Sequence, residues 1–435
     1  PFYTSLQLDY AHSPAAHAGK PFWLPEIESG PIGEWVLGPT HATTARDIRR
    51  HGLEAIAHGA KMLLYQGYRE WDPLPLHWGA LVDLHGEPTE RYHAAVRLNQ
   101  VVLSHEDLFL NAQPARPQIG ILVDQRNAIA CHGIGAQWLL LQAIKGLYSA
   151  YWSQGYGLEF ITPELLARGK GQGYRLLLLP FLMLVTPEAA EAVTAFVAQG
   201  GTAVAFAKCG MLNERSWYWH DRPGGLVNLF GACETWIEKS ESVSLVPEPS
   251  APAFAGVQSP LWGYWHRQDF ALQEGTNVLA RYQAAGPGSG QPAGAPAAIS
   301  RNHGKGRAIL FGTHLDAVAL GPETDDHRRV FANLAELAGV ERPFVLDGAP
   351  LLDGHMLECG DRPAEQRLFV LVNHGPATAS ARVRLCSGTR TARVIDLFAS
   401  RKLECHPEPA GLSFELELEG YDSTALLIEP TPGEA

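Results

Sequence analysis

Short, almost wholly apolar runs, each followed by a stretch of helical periodicity, set the strongest limit on what this chain can fold into. Met62-Leu63-Leu64-Tyr65, Ile119-Gly120-Ile121-Leu122-Val123 and Leu176-Leu177-Leu178-Leu179 offer little polar surface on either alternating face. A strand apolar on both faces must be covered on both, which is the habit of parallel strands flanked by helices. Between such runs, apolar residues recur at helical spacing: Ile48, Leu53, Ile56 and Ala57 within 43–58, then the stretches 90–110, 136–153 and 187–199. Thr43 or Thr44 supplies an N-cap for the first of these helices, and Gly59 ends it. Strands and helices in alternation with short connections predict an α/β protein.

The pattern divides the chain. A length of 435 residues is too great for one core, so two or three domains are expected. Residues 1–19 read as the tail of a helix or a loop. Two β/α units follow and define a first region, 1–112. From about Pro114 the alternation restarts as an open parallel sheet of doubly wound type, with strands at 118–124, 158–161, 176–179, 203–207 and 307–312 and helices at 187–199 and about 330–337. The Gly/Pro/Ala/Ser-rich stretch 284–298 is expected to be an exposed loop. This second region is 113–342. Beyond Pro343, apolar runs and alternating stretches follow one another without helices, so 343–435 predicts a small antiparallel β domain.

A formal charge of −12, with no basic cluster longer than Arg49-Arg50, argues against a nucleic-acid or anionic-membrane surface and for a neutral or small substrate. No apolar run reaches 18 residues, and no basic segment followed by an apolar one opens the chain, so neither a membrane span nor a signal peptide is expected. The six cysteines, at 131, 209, 233, 359, 386 and 405, lack the close pairing of zinc sites and the density of disulfide scaffolds. They predict reduced thiols in a cytoplasmic protein.

The chemistry is expected at Lys20-Pro21-Phe22-Trp23-Leu24-Pro25-Glu26-Ile27-Glu28-Ser29-Gly30-Pro31. Phe22, Trp23 and Leu24 read as a buried strand that stops at Pro25 and runs into carboxylates and a Ser-Gly-Pro turn. Such a strand end resembles the C-terminal lip of a β/α barrel, where enzymes of that fold keep their reacting groups. Glu26 is the first candidate catalytic residue. Glu28 competes, because residues two apart on a strand share a face; both would also serve as plain solvated loop carboxylates.

These residues carry a family resemblance. The stretch from Lys20 to Trp35, Ile56-Ala57-His58-Gly59-Ala60-Lys61, Arg69, His77, and Leu81-Val82-Asp83 with Gly86 resemble the last part of the barrel in family 42 glycoside hydrolases, the β-galactosidases. Leu177-Leu178-Leu179-Pro180, Ala198-Gln199-Gly200-Gly201-Thr202 and Gly304-Lys305-Gly306-Arg307 are similar to that family's trimerisation domain. The resemblance implies the C-terminal strands of a TIM (β/α)8 barrel over 1–112, an amidotransferase-like α/β trimerisation domain over 113–342, and a C-terminal antiparallel β domain over 343–435. It also implies a homotrimer. By resemblance Glu26 is the nucleophile of a retaining exo-β-galactosidase, which needs two carboxyl groups about 5–5.5 Å apart. Arg69 would keep that nucleophile ionised or contact a sugar hydroxyl, or else pair with Glu70 or Asp72. His77 would contact substrate hydroxyls. Trp35, Trp71 and Trp78 are candidate platforms for the apolar face of a sugar, with core or interface packing as the alternative for each.

Two departures matter. Family members carry a Glu three residues before the histidine, where this chain has Leu74, so galactose as the preferred sugar is less firmly implied. The family's acid/base Glu, in an Asn-Glu pair on the fourth barrel strand, would lie upstream of Pro1, and Asn213-Glu214 in the middle region cannot replace it. The chain is therefore expected to be the C-terminal portion of a larger or split enzyme, inactive without the missing N-terminal barrel segment. The alternatives are a related β-glycosidase of other sugar specificity, or a non-catalytic assembly or carbohydrate-binding remnant.

Elsewhere, Asp124 lacks the glycine pattern of a nucleotide site and reads as scaffold. Cys209 follows a strand as amidotransferase nucleophiles do, but without a matched His-Glu dyad. Trp217, Tyr218, Trp219 and His220 suit either a core, a subunit interface or, in a trimer, the mouth of a neighbour's active site. His303 and His314 have no partners at metal-ligand spacing, so no metal and no cofactor are expected.

Overall fold

A computed structural model describes residues 2–33, 43–71, 77–258, 260–284, 293–317, 325–359, 366–386, 391–409 and 411–430. Its contacts divide into two compact units: Tyr3–Ala115 together with Arg342–Ala435, and Arg116–Glu341. The two outer regions expected as separate domains therefore belong to one unit.

In the first unit, α1 (Phe2–Ala18) is a full helix, more than the helix tail or loop expected there. It leads into β1 (Phe22–Glu28), β2 (Ile32–Gly33), α2 (Ala45–Ala57), β3 (Ala60–Gln66), β4 (His77–Trp78), α3 (Glu90–Ser104), α4 (Glu106–Asn111) and β5 (Ala112–Pro114). β1 and β3 pair in parallel with α2 between them, a single β/α/β unit. The first strand does not stop at Pro25. It continues to Glu28 because the register slips between Leu24 and Ile27, and a proline is tolerated where the ladder is already interrupted.

Of the two candidate caps, Thr44 caps α2, and Asp47 bonds back to the Thr44 amide to complete a capping box. The helix expected over 90–110 is two: the backbone of His105 leaves the helical region, and Glu106 and Asp107 favour a new N-terminus after it. Nor are β1 and β3 fully buried. Phe22, Leu24 and Leu63 pack with Leu8, Ala55 and Ala60, whereas Trp23 is 59% and Leu64 56% exposed.

The second unit contains β6 (Ile119–Leu122), α5 (Gln125–Gly133), α6 (Gln137–Trp152), β7 (Leu158–Ile161), α7 (Pro163–Ala167), β8 (Leu176–Leu179), α8 (Pro187–Ala198), β9 (Thr202–Ala205), α9 (Val227–Phe230), β10 (Ala232–Pro247), β11 (Leu261–Leu272), β12 (Asn277–Tyr282), β13 (Pro296–His303), β14 (Gly306–Phe311) and α10 (Asp325–Leu337). They build a nine-stranded sheet in the order β11-β10-β12-β13-β14-β9-β8-β6-β7. Only the half from β14 to β7 is parallel. The rest is antiparallel, a correction to the all-parallel expectation. β10 and its neighbours escape sequence reading because Ala232–Pro247 is half-exposed and carries charges in place of an apolar run. The exposed loop expected over 284–298 ends sooner: β13 begins at Pro296, and Ala297 and Ala298 are buried.

Back in the first unit, β15 (Phe344–Gly348), β16 (Leu352–Cys359), β17 (Arg367–Asn373), β18 (Ala379–Leu385), β19 (Ala392–Asp396), β20 (Arg401–Leu403), β21 (Cys405–Glu408), β22 (Gly411–Leu418) and β23 (Ser423–Pro430) form two antiparallel sheets. One has the order β15-β18-β22-β21, the other β20-β19-β23-β17-β16-β5. The larger sheet is covered on both faces. Phe369, Leu371, Leu426 and Ile428 meet residues of the smaller sheet, and Leu368, Val370, Val372, Ala425 and Leu427 meet Leu53, Ile56 and Ala57 of α2 and Leu98 and Val101 of α3. A fully buried side chain of this size contributes roughly 1.5–3 kcal/mol, so this contact joins the two ends of the chain firmly. Ion pairs from Arg46 to Glu419 and from Arg49 to Asp422 line its edge.

Candidate active site

Glu26 sits at the register slip in β1, where Pro25 and Glu26 together oppose the single residue Leu64 of β3. A bulge of this kind re-aims side chains, and here it turns the carboxylate outward near the C-terminal end of a parallel pair. Glu26 is exposed, with no hydrogen-bond or ion-pair partner among the described residues. Glu28 is different. It is half-buried and accepts a hydrogen bond from the Thr43 hydroxyl at 3.1 Å, so a protein group already occupies part of its bonding capacity.

The strand ends are tied tightly. Ser29 Oγ donates to the carbonyls of Gln66 and, at 3.0 Å, of Gly67, joining the turn after β1 to the end of β3. Beyond it, Gly30 and Gly79 pass so closely that a Cβ on Gly30 would stand 2.4 Å from the Ala80 amide nitrogen, and one on Gly79 2.4 Å from Pro31. The Gly79 amide donates to the Pro31 carbonyl at 2.7 Å. β2 and β4 pair antiparallel, Ile32 opposite Trp78 and Gly33 opposite His77, while Trp71 and Trp78 exchange two backbone hydrogen bonds of 3.0 and 2.8 Å. These crossings bring Trp71, Trp78 and the backbone of His77 together beyond the strand ends that carry Glu26 and Glu28.

Trp71 is exposed and Trp78 half-buried. Arg69 is exposed and donates from Nε at 3.0 Å and Nη2 at 2.5 Å to the Leu84 carbonyl. The acid expected as its surface alternative, Glu70, pairs instead with Arg91 at 2.9 Å. Trp35, Leu74 and Asp72 lie outside the described residues, as does the side chain of His77.

In the second unit, Asp124 caps α5 by accepting from the Arg126 amide at 2.8 Å, a structural task. Burial pushes the Cys209 thiol up to about 12, which leaves it unreactive at neutral pH. All six cysteines are free thiols. Trp217 and Tyr218 are exposed rather than core, flanked by the guanidinium groups of Arg215 and Arg222, whereas Trp219 reaches inward to the Val185 carbonyl. Residue types that hold metals gather around Asp353 in the first unit, a grouping the sequence reading missed. Its one visible signal was Asp353-Gly354-His355, two potential ligands two apart on a strand and hence on one face.

Comparison with known proteins agrees with this architecture. Residues 118–341, almost the whole second unit, match the family model of the beta-galactosidase trimerisation domain. The chain belongs to this family, that of the glycoside hydrolase family 42 β-galactosidases. Beta-galactosidase BglY of Alicyclobacillus acidocaldarius is 26% identical over 298 residues, 67% of this chain and 41% of the relative. Beta-galactosidase Bga of Halorubrum lacusprofundi is 24% identical over 354 residues, 74% of this chain and 44% of the relative. The chain thus spans less than half the length of these curated relatives. The fold is similar to the crystal structure of beta-galactosidase from Bacillus circulans sp. alkalophilus, with a TM-score of 0.78, 20% identity, and coverage of 98% of this chain and 58% of that one.

Proposed function

We propose that this chain is the C-terminal part of a retaining exo-β-glycosidase that removes terminal β-D-galactosyl residues, with Glu26 as the nucleophile. The observation that carries the reading is the outward-turned, unpartnered Glu26 near the C-terminal end of a parallel strand pair, with Trp71 and Trp78 drawn together beyond those strand ends. Relatives named as beta-galactosidases support the sugar. In the double displacement, Glu26 attacks the anomeric carbon to form a glycosyl-enzyme, and a second carboxylic acid protonates the leaving oxygen and then activates water. That acid/base Glu lies on a segment upstream of Pro1, which also supplies the remaining barrel strands. The exposed face of β1 and β3 supports such a cover, since parallel strands are normally buried on both sides. Trp71 and Trp78 form the sugar-facing lip, with Arg69 exposed nearby; the substrate contacts assigned to Trp35 and His77 rest on the family resemblance alone. The match to the trimerisation domain supports a homotrimer, and six free thiols suit a reducing cytoplasm.

The test is mechanism-based trapping. A 2-deoxy-2-fluoro-β-galactoside should label Glu26 in the polypeptide that includes the upstream segment, read by peptide mass. Labelling of another residue overturns the assignment. No labelling at all favours the second reading, a non-catalytic assembly or carbohydrate-binding remnant.

A further inference from the structure

Between α1, the end of α2 and the six-stranded sheet, the first unit buries a cluster of carboxylates and imidazoles that the sugar chemistry does not use. Glu54 is 1% exposed, His58 3%, Asp353 4% and His374 8%. A ring nitrogen of His58, a carboxylate oxygen of Asp353 and a ring nitrogen of His355 lie within 4.8 Å of one another; Glu54, Asp353 and His374 form a second such group. Asp353 Oδ2 is the hub, 2.9 Å from His355 Nε2 and 3.6 Å from His374 Nε2, and it accepts from Ser5 Oγ at 3.4 Å.

Two features go beyond a buried ion network. His58 Nδ1 is held by Asp9 Oδ1 at 2.5 Å, which fixes the ring and leaves Nε2 to act as a ligand. Nε2 is buried and has no hydrogen-bond partner. Metal-binding histidines are oriented in this way, one nitrogen on a carboxylate and the other on the ion. The second feature is charge. Glu54 and Asp353 have no Lys or Arg partner among the described residues, so only imidazoles and a hydroxyl face these two buried carboxylates, and burying a carboxylate without a full counter-charge is costly. A divalent cation would balance both.

We propose that His58, Asp353 and His355 form a zinc-type divalent metal site, with Asp9 orienting His58 and Glu54 and His374 flanking Asp353. Two imidazoles and one carboxylate are a ligand set that zinc accepts, with a fourth position left for water. Zinc bonds of roughly 2.0–2.1 Å place tetrahedral ligand atoms about 3.4 Å apart, so the cluster needs to contract only modestly. The site ties α1 and α2 to β16, segments about 300 residues apart in sequence, and so acts as a structural clip. Neither the glycosidase reading nor the family comparisons supply it.

The test is a titration of the untagged, chelator-treated chain with Co2+ and then Zn2+. About one equivalent of cobalt should bind with four-coordinate visible absorption, zinc should displace it, and zinc should raise the melting temperature. Asp9→Asn, which spares every ligand, should weaken binding 10–100-fold; His355→Gln should abolish the visible bands. Absence of both the bands and the thermal shift in the unmodified chain overturns the site, and leaves a network held by protons. Binding that survives unchanged in Asp9→Asn and His355→Gln overturns it equally, because the metal would then sit elsewhere.

Discussion

The chain contains two parallel β assemblies, and they are finished to different degrees. In the second unit every residue of β6, β8 and β9 is buried, Leu176–Leu179 completely so. In the first unit β1 and β3 bury one face against α1 and α2 and leave Trp23, Leu64 and, beyond the strand end, Trp71 exposed. A fully covered parallel sheet contributes stability, whereas a half-covered pair keeps surface available, either for further strands or for a ligand. That the candidate carboxylate is on the half-covered pair fits the general division between scaffold and site.

The largest effect that tests this contrast is chemical. In the polypeptide carrying the upstream segment, Glu26→Ala should lower turnover of a nitrophenyl β-galactoside by roughly 10⁴-fold or more, as loss of a covalent nucleophile does in other hydrolases. Glu28→Ala should cost far less. Comparable losses in both would erase the distinction between the outward carboxylate and the one held by Thr43. Next comes packing. Leu178→Ala should reduce unfolding free energy by about 2–5 kcal/mol in urea titrations, whereas Leu64→Ala in this chain should stay within about 0.5 kcal/mol. A large loss at Leu64 would show that the open face is already covered.

A smaller loss is expected at the lip. Gly79→Ala forces a Cβ against Pro31 and should cost about 1–3 kcal/mol, seen as a lower urea midpoint. A further effect depends on pH. Burial, with His314, Lys208 and Lys239 adding like charge, pushes His266 of the second unit down to about 3. An unfolded histidine titrates near 6.5, so below that pH the unfolded chain binds the extra proton. The contribution of neutral His266 is whole above about pH 6.5 and is lost as pH falls from there towards 3. His266→Asn should flatten that part of a melting-temperature profile, and an unchanged slope would assign it to other groups.

Much of this organisation was legible beforehand because burial on both faces leaves a plain mark in sequence. Leu176–Leu179 and Ile119–Leu122 are strands, and Thr44 and Gly59 stand at the boundaries of α2. Ala232–Pro247 was not legible: an exposed strand in an antiparallel ladder takes polar residues freely and loses its signal. For the site, the residue types pointed to Glu26, with Glu28 left as a competitor because residues two apart on a strand share a face.

What the amino-acid sequence determined by itself is local: which segments are strands or helices, where they are capped, and that a carboxylate follows an apolar strand. These follow from periodicity and side-chain chemistry within a few residues. Tertiary structure alone decided the rest. It set the bulge that turns Glu26 outward, the face of β1 and β3 left uncovered, the joining of residues 3–115 to 342–435, and the meeting of His58 with Asp353 and His355. Each of these depends on contacts between residues far apart in the chain, for which local periodicity carries no record.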